Sequence, residues 1–438
     1  MNTYQVPCIK NKKVEDMLQV SVPGSKSITN RALLLAAMAE GESTLYGCLK
    51  SEDAAYFLQC LETLGFPVQV EGTTVRITGF GGKIPKQEAE IYVGSAGTAA
   101  RFLAAMCAFS DGCYTLQSSD QMKKRPMGPL IETLREAGAE ITCLEDEGHF
   151  PMRIKGCAAS MQTCALTVNI DKSSQFLSAL LIAAGTRKEE VVIALEGSHG
   201  MAYVEMTAAM MADFGVQPMT KKNEEGVIIY TVAANSSYKN LEYQIEPDMS
   251  AAAYFYALGA ITGGKVMIPA VHKTMLQGDV AFLDVLCQMG CSLEDAQEGV
   301  VLSPSADGLH GNKVFDLSAF SDQALTLAAI ASFADGPITI KGISHIRGQE
   351  CDRIYAIVEN LKVLGADVSE VSDVISINPS VLHGGEIETF EDHRVAMSFA
   401  LPGLLTEGVV IKNPECCRKT FAEYFEVLDD VIGKFVNE

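Results

Sequence analysis

Tryptophan is absent from this 438-residue chain, and histidine occurs only seven times. The histidines form no H-E-x-x-H pair, and none stands at zinc spacing from a cysteine. No structural metal is therefore expected. There are thirteen cysteines but no C-x-x-C pair; the count is odd, the positions are scattered, and Cys416 and Cys417 are adjacent. Such a set reads as reduced thiols of a cytosolic protein rather than a disulfide framework. Basic residues are few, 34 against 55 acidic ones, for a net charge of −21. That argues against a nucleic-acid partner and against an anionic membrane surface. A small anionic substrate stays compatible, provided its basic partners cluster. Long apolar runs are missing as well. "ALLLAAM" and "FLSALLIAAG" are too short to span a bilayer, and "MNTYQVPCIKNKK" lacks the apolar centre of a secretory signal. What remains is an ordinary soluble composition, 48% hydrophobic and 20% charged, with length for two to four domains and large cores.

The chain is repetitive. An apolar-x-x-apolar-Gly pattern recurs at "LETLG", "LREAG", "MADFG", "LCQMG" and "LKVLG", with glycines at 65, 138, 215, 290 and 365. A glycine just past a helical pattern is a C-cap signal, because it takes positive φ without strain. Extended runs follow each glycine, among them "TTVRITG", "FPMRIKG" and "GVIIYTV"; helical patterns and further strands precede them. Six copies of a helix–strand–helix–strand unit are visible, the last lacking its trailing strands. Strand-like "TYQVPCI" and "LQVSV" near the N-terminus are expected to complete that last copy. Segments near 22–25 and 236–248 look like crossings between domains. The expected division is 24–241 against 1–21 joined to 245–438, three units each.

"VPGSKSITNRALLLAA", from Val22, looks like a phosphate loop, yet Ser25 stands where the P-loop requires glycine before its lysine. It is an anion cradle without the mononucleotide signature. The first helices of the six units start at "GSKSITNRA", "GSAGTAARF", "DKSSQFLSA", "PDMSAAAYF", "FSDQALTLA" and "FEDHRVAMS". Ser250, Ser321 and Asp248 suit N-caps. Capping does not explain Lys26, Arg31, Arg101, His393 and Arg394, since a cation in the first turn opposes the helix dipole. An anion at the helix start would offset that cost. Arg125, Arg353 and Lys419 stand at the starts of second helices. Together these cations suit ligands with several phosphate and carboxylate groups. Asp322 and Glu350 lie among them, each open to a plain structural reading: an N-cap for Asp322, a salt bridge with Arg347 or Arg353 for Glu350. As a carboxylate among cations, Asp322 is placed to take a proton from a hydroxyl nucleophile. The residues alone reach a two-domain α/β enzyme for small polyanions, using acid–base chemistry.

The ordered set "PGSKSITNRALLLAA", "GSAGTAARF", "KKRPMGPLIETL", "SSQFLSALL", "DRIYAI", "EDHRVAMSFA" and "RKTF" closely resembles the 5-enolpyruvylshikimate-3-phosphate synthase family, from about Pro23 to Phe421. The resemblance implies two domains, each of three βαβαββ repeats arranged as an inside-out α/β barrel. It implies that the 5-hydroxyl of shikimate-3-phosphate attacks C2 of phosphoenolpyruvate while C3 is protonated. The tetrahedral ketal then loses phosphate, with no cofactor. Lys26, Ser27 and Arg31 would hold shikimate-3-phosphate, with Lys26 also reaching phosphoenolpyruvate. Ser173, Ser174 and Gln175 would cradle the 3-phosphate and ring, with Tyr203 nearby. Gly97, Arg125, Arg353, Arg394 and Lys419 would bind phosphoenolpyruvate, Gly97 because a β-carbon would crowd it. Asp322 would be the base, and Glu350 with Lys26 would exchange the C3 proton.

The chain departs from the family pattern at three places. Gln349 stands where many members have lysine, and His345 where asparagine is common. The usual Ser-x-Pro before the tyrosine is replaced by "GSHGMAYVEMT", leaving Ser198 as its nearest substitute. All three touch the shikimate-3-phosphate side. Two other readings stay open: a UDP-N-acetylglucosamine enolpyruvyl transferase, and a non-catalytic ligand-binding paralogue. A cytoplasmic monomer is expected.

Overall fold

The computed structural model describes residues 2–159, 161 and 164–437. The chain falls into two compact units. One is continuous, Gly24–Ile245; the other is split, Met1–Pro23 with Glu246–Glu438.

One strand pattern recurs in both. In the continuous unit Glu88–Tyr92 runs parallel to Cys113–Gln117, which pairs antiparallel with Met152–Lys155, and that in turn with Glu140–Cys143. Ala165–Asn169, Val191–Glu196, Ile228–Val232 and Met219–Lys222 repeat the arrangement. So do Glu242–Gln244, Glu40–Tyr46, Thr74–Phe80 and Val68–Glu71. In the split unit the sets are Lys313–Asp316, Ile338–Lys341, Val374–Ile377 and Val368–Val371, and Leu18–Gln19, Val266–Met267, Gly299–Ser303 and Ser292–Ala296. A three-stranded version joins Gly385–Ile387, Val409–Lys412 and Thr3–Gln5.

The N-terminal segment therefore does more than complete the last repeat. Thr3–Gln5 closes the sixth sheet, but Leu18–Gln19 supplies the parallel strand of the fourth. Glu242–Gln244 does the same for the first sheet. Each crossing of the chain thus follows a strand that pairs back onto the opening repeat of the unit being left. The reason is topological: elsewhere the parallel strand precedes the helix that leads into its neighbour, but the chain enters each opening repeat directly at that helix, so its parallel partner must come from a distant segment.

Helices form the inside. Lys26–Met38, Gly97–Ala108 and Gln175–Ala184 pack together in the continuous unit; Met249–Thr262, Ala324–Ala331 and His393–Gly403 do so in the split unit. They are buried on nearly all faces and mostly apolar, as helices enclosed by other elements are, with polar exceptions at their N-terminal turns. All residues of Gly97–Ala108 and Ala324–Ala331 are buried. The second helices are one-sided instead: Glu52–Thr63 buries Ala54, Phe57, Cys60 and Leu61 at helical spacing. The glycines at 65, 138, 215, 290 and 365 all have positive φ, between 79° and 111°. A β-carbon would strain each at the turn that sends the chain from helix to strand.

The exceptions to burial position the site. Lys26 and Ser27, Gln175, and Arg394 are the residues of their core helices left partly accessible at the N-terminal end. Apolar packing holds each helix body, so its first turn presents polar groups at a fixed place.

Candidate active site

In the continuous unit the helix Lys26–Met38 begins at Ser25, whose Oγ accepts from the backbone N–H of Ile28 at 3.4 Å. Lys26 follows as the first helical residue, and its Nζ lies 2.6 Å from Asp53 Oδ2. Asp53 is 1% exposed and sits in the first turn of Glu52–Thr63, where the dipole favours an acid. The lysine is held in a defined direction while its side chain stays 19% accessible.

One turn on, Arg31 is 2% exposed. Nε donates to Thr207 Oγ1 (2.7 Å), Nη1 to the Ser27 carbonyl (2.9 Å), and Nη2 to the Tyr203 carbonyl (3.1 Å) and Ser178 Oγ (3.5 Å). The guanidinium also stacks over Phe102, 5.4 Å from the ring centre. These partners are neutral, and burial pushes its pKa down to about 10. It is a cation inside the protein whose contacts leave its charge uncompensated, a standing attraction for an anion.

Gly97 opens the helix Gly97–Ala108, whose first turn has no side-chain cap. A β-carbon here would lie 2.4 Å from Arg125 Nη1 and 2.6 Å from Arg101 Nη1. The glycine makes room for two guanidinium groups beside uncapped N–H donors, an arrangement for binding an anion. This refines the expectation that a β-carbon would crowd the ligand: it would first displace protein cations. Arg101 Nη1 donates to the Gly97 carbonyl (2.9 Å) and to Gln175 Oε1 (3.1 Å), and Gln175 Nε2 donates to Thr98 Oγ1 (3.3 Å). Gln175 is thereby tied to the first turn of the helix Gly97–Ala108. Ser173 Oγ accepts from the Gln175 N–H at 3.3 Å, Ser174 is buried, and Ser198 lies exposed in the loop before Gly200.

The split unit holds the densest charge cluster. Asp322 lies in the short 3-10 turn Ser321–Gln323 and is not the cap of the next helix. Its two oxygens are taken separately: Oδ1 by Arg353 Nη1 at 2.8 Å, Oδ2 by Arg394 Nη2 at 2.9 Å. Behind Arg353 stands Asp392, fully buried, accepting from Arg353 Nε at 2.7 Å. Asp392 also caps the helix His393–Gly403 through the Arg394 N–H at 2.8 Å. Burial opposes the charge on Arg353, but the Asp392 and Asp322 carboxylates outweigh it and hold its pKa above the ordinary value. Gln349 Oε1 accepts from the same guanidinium, so the residue in the usual lysine position is bound to a cation instead of adding one.

Glu350 pairs with Lys419, and both are 8% exposed. That replaces the salt bridge to Arg347 or Arg353 weighed from the sequence. Arg347 is occupied elsewhere, by Asp352, Glu370 and Asp373 at 2.9, 2.8 and 2.8 Å. Asp352 caps the helix Arg353–Val363, so this outer cluster fixes the turn from which Arg353 projects. His345 Nε2 lies 2.7 Å from Ser321 Oγ, which ties that serine to a side chain rather than to a helix cap. Ser250 likewise does not cap its helix; Asp248 does, through the Ala251 N–H at 3.0 Å.

Within the split unit the structure thus joins Asp322, Arg353, Arg394 and Gln349, with Glu350 and Lys419 as a second pair. Within the continuous unit it joins Ser27, Arg31 and Tyr203 in one group, and Gly97, Arg125 and Gln175 through Arg101 in another. Asp53 and Asp392 were missed as functional candidates. Each is an acid in the first turn or at the cap of a helix. Capping accounts for such acids so readily that nothing in the sequence marks them as counter-ions.

No helix among the described residues is long and apolar enough to cross a membrane. The family model described as EPSP synthase (3-phosphoshikimate 1-carboxyvinyltransferase) matches residues 12–428. The chain is 40% identical over 428 residues to a 3-phosphoshikimate 1-carboxyvinyltransferase of Nostoc punctiforme, covering 97% of this chain and 98% of the relative. It is 37% identical over 409 residues to one of Methanospirillum hungatei, covering 93% and 94%. Among solved structures it is similar to an EPSP synthase from Acinetobacter baumannii, with a TM-score of 0.78 and 26% identity over 98% of this chain and 97% of that one.

Proposed function

The chain belongs to the EPSP synthase family, and from that premise we propose how its residues divide the reaction. It transfers the enolpyruvyl group of phosphoenolpyruvate to the 5-hydroxyl of shikimate-3-phosphate and releases phosphate. The observation that carries the residue assignment is Asp322 held by two arginines, one on each oxygen.

Asp322 takes the proton of the 5-hydroxyl as its oxygen bonds to C2 of phosphoenolpyruvate. C3 gains a proton at the same stage from Glu350, whose resulting carboxylate is held by Lys419 until the second stage. In the second stage C3 returns its proton to Glu350 and the C2–O bond to phosphate breaks. The departing phosphate carries away the proton held on Asp322, so both acids are restored. Arg125, Arg353, Arg394 and Lys419 neutralise the carboxylate and phosphate of phosphoenolpyruvate, and Gly97 leaves room for Arg125 beside Arg101. Lys26, aimed by Asp53, serves both substrates. Ser27, Ser173, Ser174, Gln175, Tyr203 and Ser198 receive shikimate-3-phosphate, with the charge of Arg31 beneath them. His345 and Gln349 serve the same substrate from the split unit. Removing the basic or acidic partner in such chemistry costs about 10²–10⁴-fold.

Phosphate release in three mixtures tests the reading: phosphoenolpyruvate with shikimate-3-phosphate, with UDP-N-acetylglucosamine, and alone. Release in the first only is expected. Release with the sugar nucleotide would reassign the acceptor, and none in any mixture would leave a binding protein. We place the enzyme in the cytoplasm on the support of its thirteen free cysteines, and we take it to be a monomer. Sedimentation at assay concentration tests the oligomeric part.

A further inference from the structure

Behind Asp322 lies a polar cluster that the reaction above does not use. Asp279, in the 3-10 turn Gly278–Ala281, is 4% exposed. Its Oδ1 accepts from Gln323 Nε2 at 2.8 Å and from Ser250 Oγ at 3.2 Å. Gln323 is fully buried and is the residue after Asp322 in the same short turn. The next residue back from Gly278, Gln277, is equally fixed. Its Nε2 donates to Glu246 Oε2 (3.1 Å) and to the Pro247 carbonyl (2.7 Å), and its Oε1 accepts from the Met249 N–H (3.0 Å). A carboxylate is an expensive way to satisfy a buried glutamine and a buried serine, because an amide or water can accept the same bonds at less desolvation cost. Its retention here calls for a use of the charge.

We propose that Asp279 is a positioning residue for Asp322: it locks the Ser321–Gln323 turn through Gln323, and its negative charge keeps Asp322 basic enough to take the hydroxyl proton. The inference rests on Asp322 being the base. The charged groups facing Asp279 are Asp322, Asp248 at the start of the helix Met249–Thr262, and Arg394 on the helix His393–Gly403. Burial, then the charge of Asp322, push the Asp279 carboxyl up to about 6, against the pull of Arg394 and the Gln323 hydrogen bond. Two carboxyls that sense one another lose their protons as a pair over a shared pH range. Asp322, gripped by two guanidiniums, would otherwise be a weak base; a second negative charge behind it offsets them.

The test compares wild type with Asp279→Asn, which can still accept both hydrogen bonds but carries no charge. Steady-state phosphate release is followed from about pH 5 to 9 for each substrate, with calorimetric binding of shikimate-3-phosphate alongside. For Asp279→Asn the expected results are substrate affinity within about threefold of wild type and kcat at neutral pH reduced about tenfold. The acidic limb of kcat moves to lower pH by about one unit and becomes a single-proton limb. A purely structural role would lower thermal stability and leave that limb in place, which overturns the proposal. If Asp279→Asn does not fold, Gln323→Met cuts the link to the turn while leaving the charge. It is expected to lower kcat about tenfold at unchanged KM, and wild-type kcat there also overturns the proposal. Asp322→Ala is run in parallel. If it still turns over, the assignment of the base fails; if it is dead while Asp279→Asn keeps the wild-type limb, only the present inference fails.

Discussion

Asp392 has two tasks that substitution can separate. It caps the helix His393–Gly403 and it is the fully buried counter-ion of Arg353. Asp392→Asn keeps an oxygen for the Arg394 N–H and removes the charge. Breaking a buried pair while leaving the other charge in place costs about 3–5 kcal/mol. Asp322 still faces Arg353 from the other side, so the lower figure, about 3 kcal/mol, applies. Asp392→Ala loses the cap too, a further loss of about 1 kcal/mol. Against a total stability on the order of 5–15 kcal/mol, both variants should fold, weakened. Urea unfolding reads the two steps as successive falls in midpoint at unchanged slope. Because the pair is buried, about 0.5 M salt should not erase the first step, as it would for a surface pair. Turnover should also fall in the Asn variant, since Arg353 is no longer held from behind while it holds Asp322. An Asn variant within about 0.5 kcal/mol of wild type would refute the ion-pair reasoning, since a change that small is ordinary for a surface site. Equal losses in Asn and Ala would refute the capping half.

Other outcomes follow from the same geometry. Asp322→Ala should retain binding of both substrates and lose about 10²-fold or more in turnover, measured by single-turnover phosphate release; lost binding with intact turnover per bound complex would contradict the role of base. Gly97→Ala places a methyl 2.4 Å from Arg125 Nη1 and 2.6 Å from Arg101 Nη1, so KM for phosphoenolpyruvate should rise about tenfold or more with shikimate-3-phosphate affinity unchanged; kinetics equal to wild type would show that the guanidiniums move aside freely. The folded-state pKa of Asp279 is raised to about 6 from 3.8, so the folded protein binds the extra proton as pH falls through that window. Wild type should therefore gain stability relative to Asp279→Asn between about pH 7 and 4, and a gap constant across that range in thermal unfolding would contradict the burial of that charge.

Much of the architecture could be read from local chemistry. A glycine that must adopt positive φ after a helix is a short-range signal, and five of them in near-register reported the repeat without any alignment. That the helices form the inside of the fold came only from the family resemblance, not from their own residues. The N-terminal segment was read only in part. That "TYQVPCI" forms a strand follows from its residues, but which sheet Leu18–Gln19 joins depends on a partner some 250 residues away, Val266–Met267. Pairing of that kind leaves no trace in composition.

At the site the division runs between charge and counter-charge. Cations at helix starts stand out because they oppose the dipole, so Lys26, Arg31, Arg353 and Arg394 could be singled out from sequence; Arg125 and Lys419 were singled out with them, but the structure places Arg125 in the turn before Gly128–Glu136 and Lys419 in the last turn of the 3-10 helix Pro414–Lys419. Carboxylates at helix starts obey the rule, so their second uses were hidden. Asp53 aims Lys26, Asp392 backs Arg353, and Glu350 chose Lys419 over its sequence neighbours.

What the chain's letters determined by themselves were the repeat, the helix starts and the identity of the groups placed there, because each of these depends on a few neighbouring residues. Only the tertiary structure decided which acid meets which base and which of them is taken out of water. Ion pairing and desolvation act across space between segments far apart in the chain, and in the low dielectric of the interior they set the charge of a group more strongly than its own chemistry does.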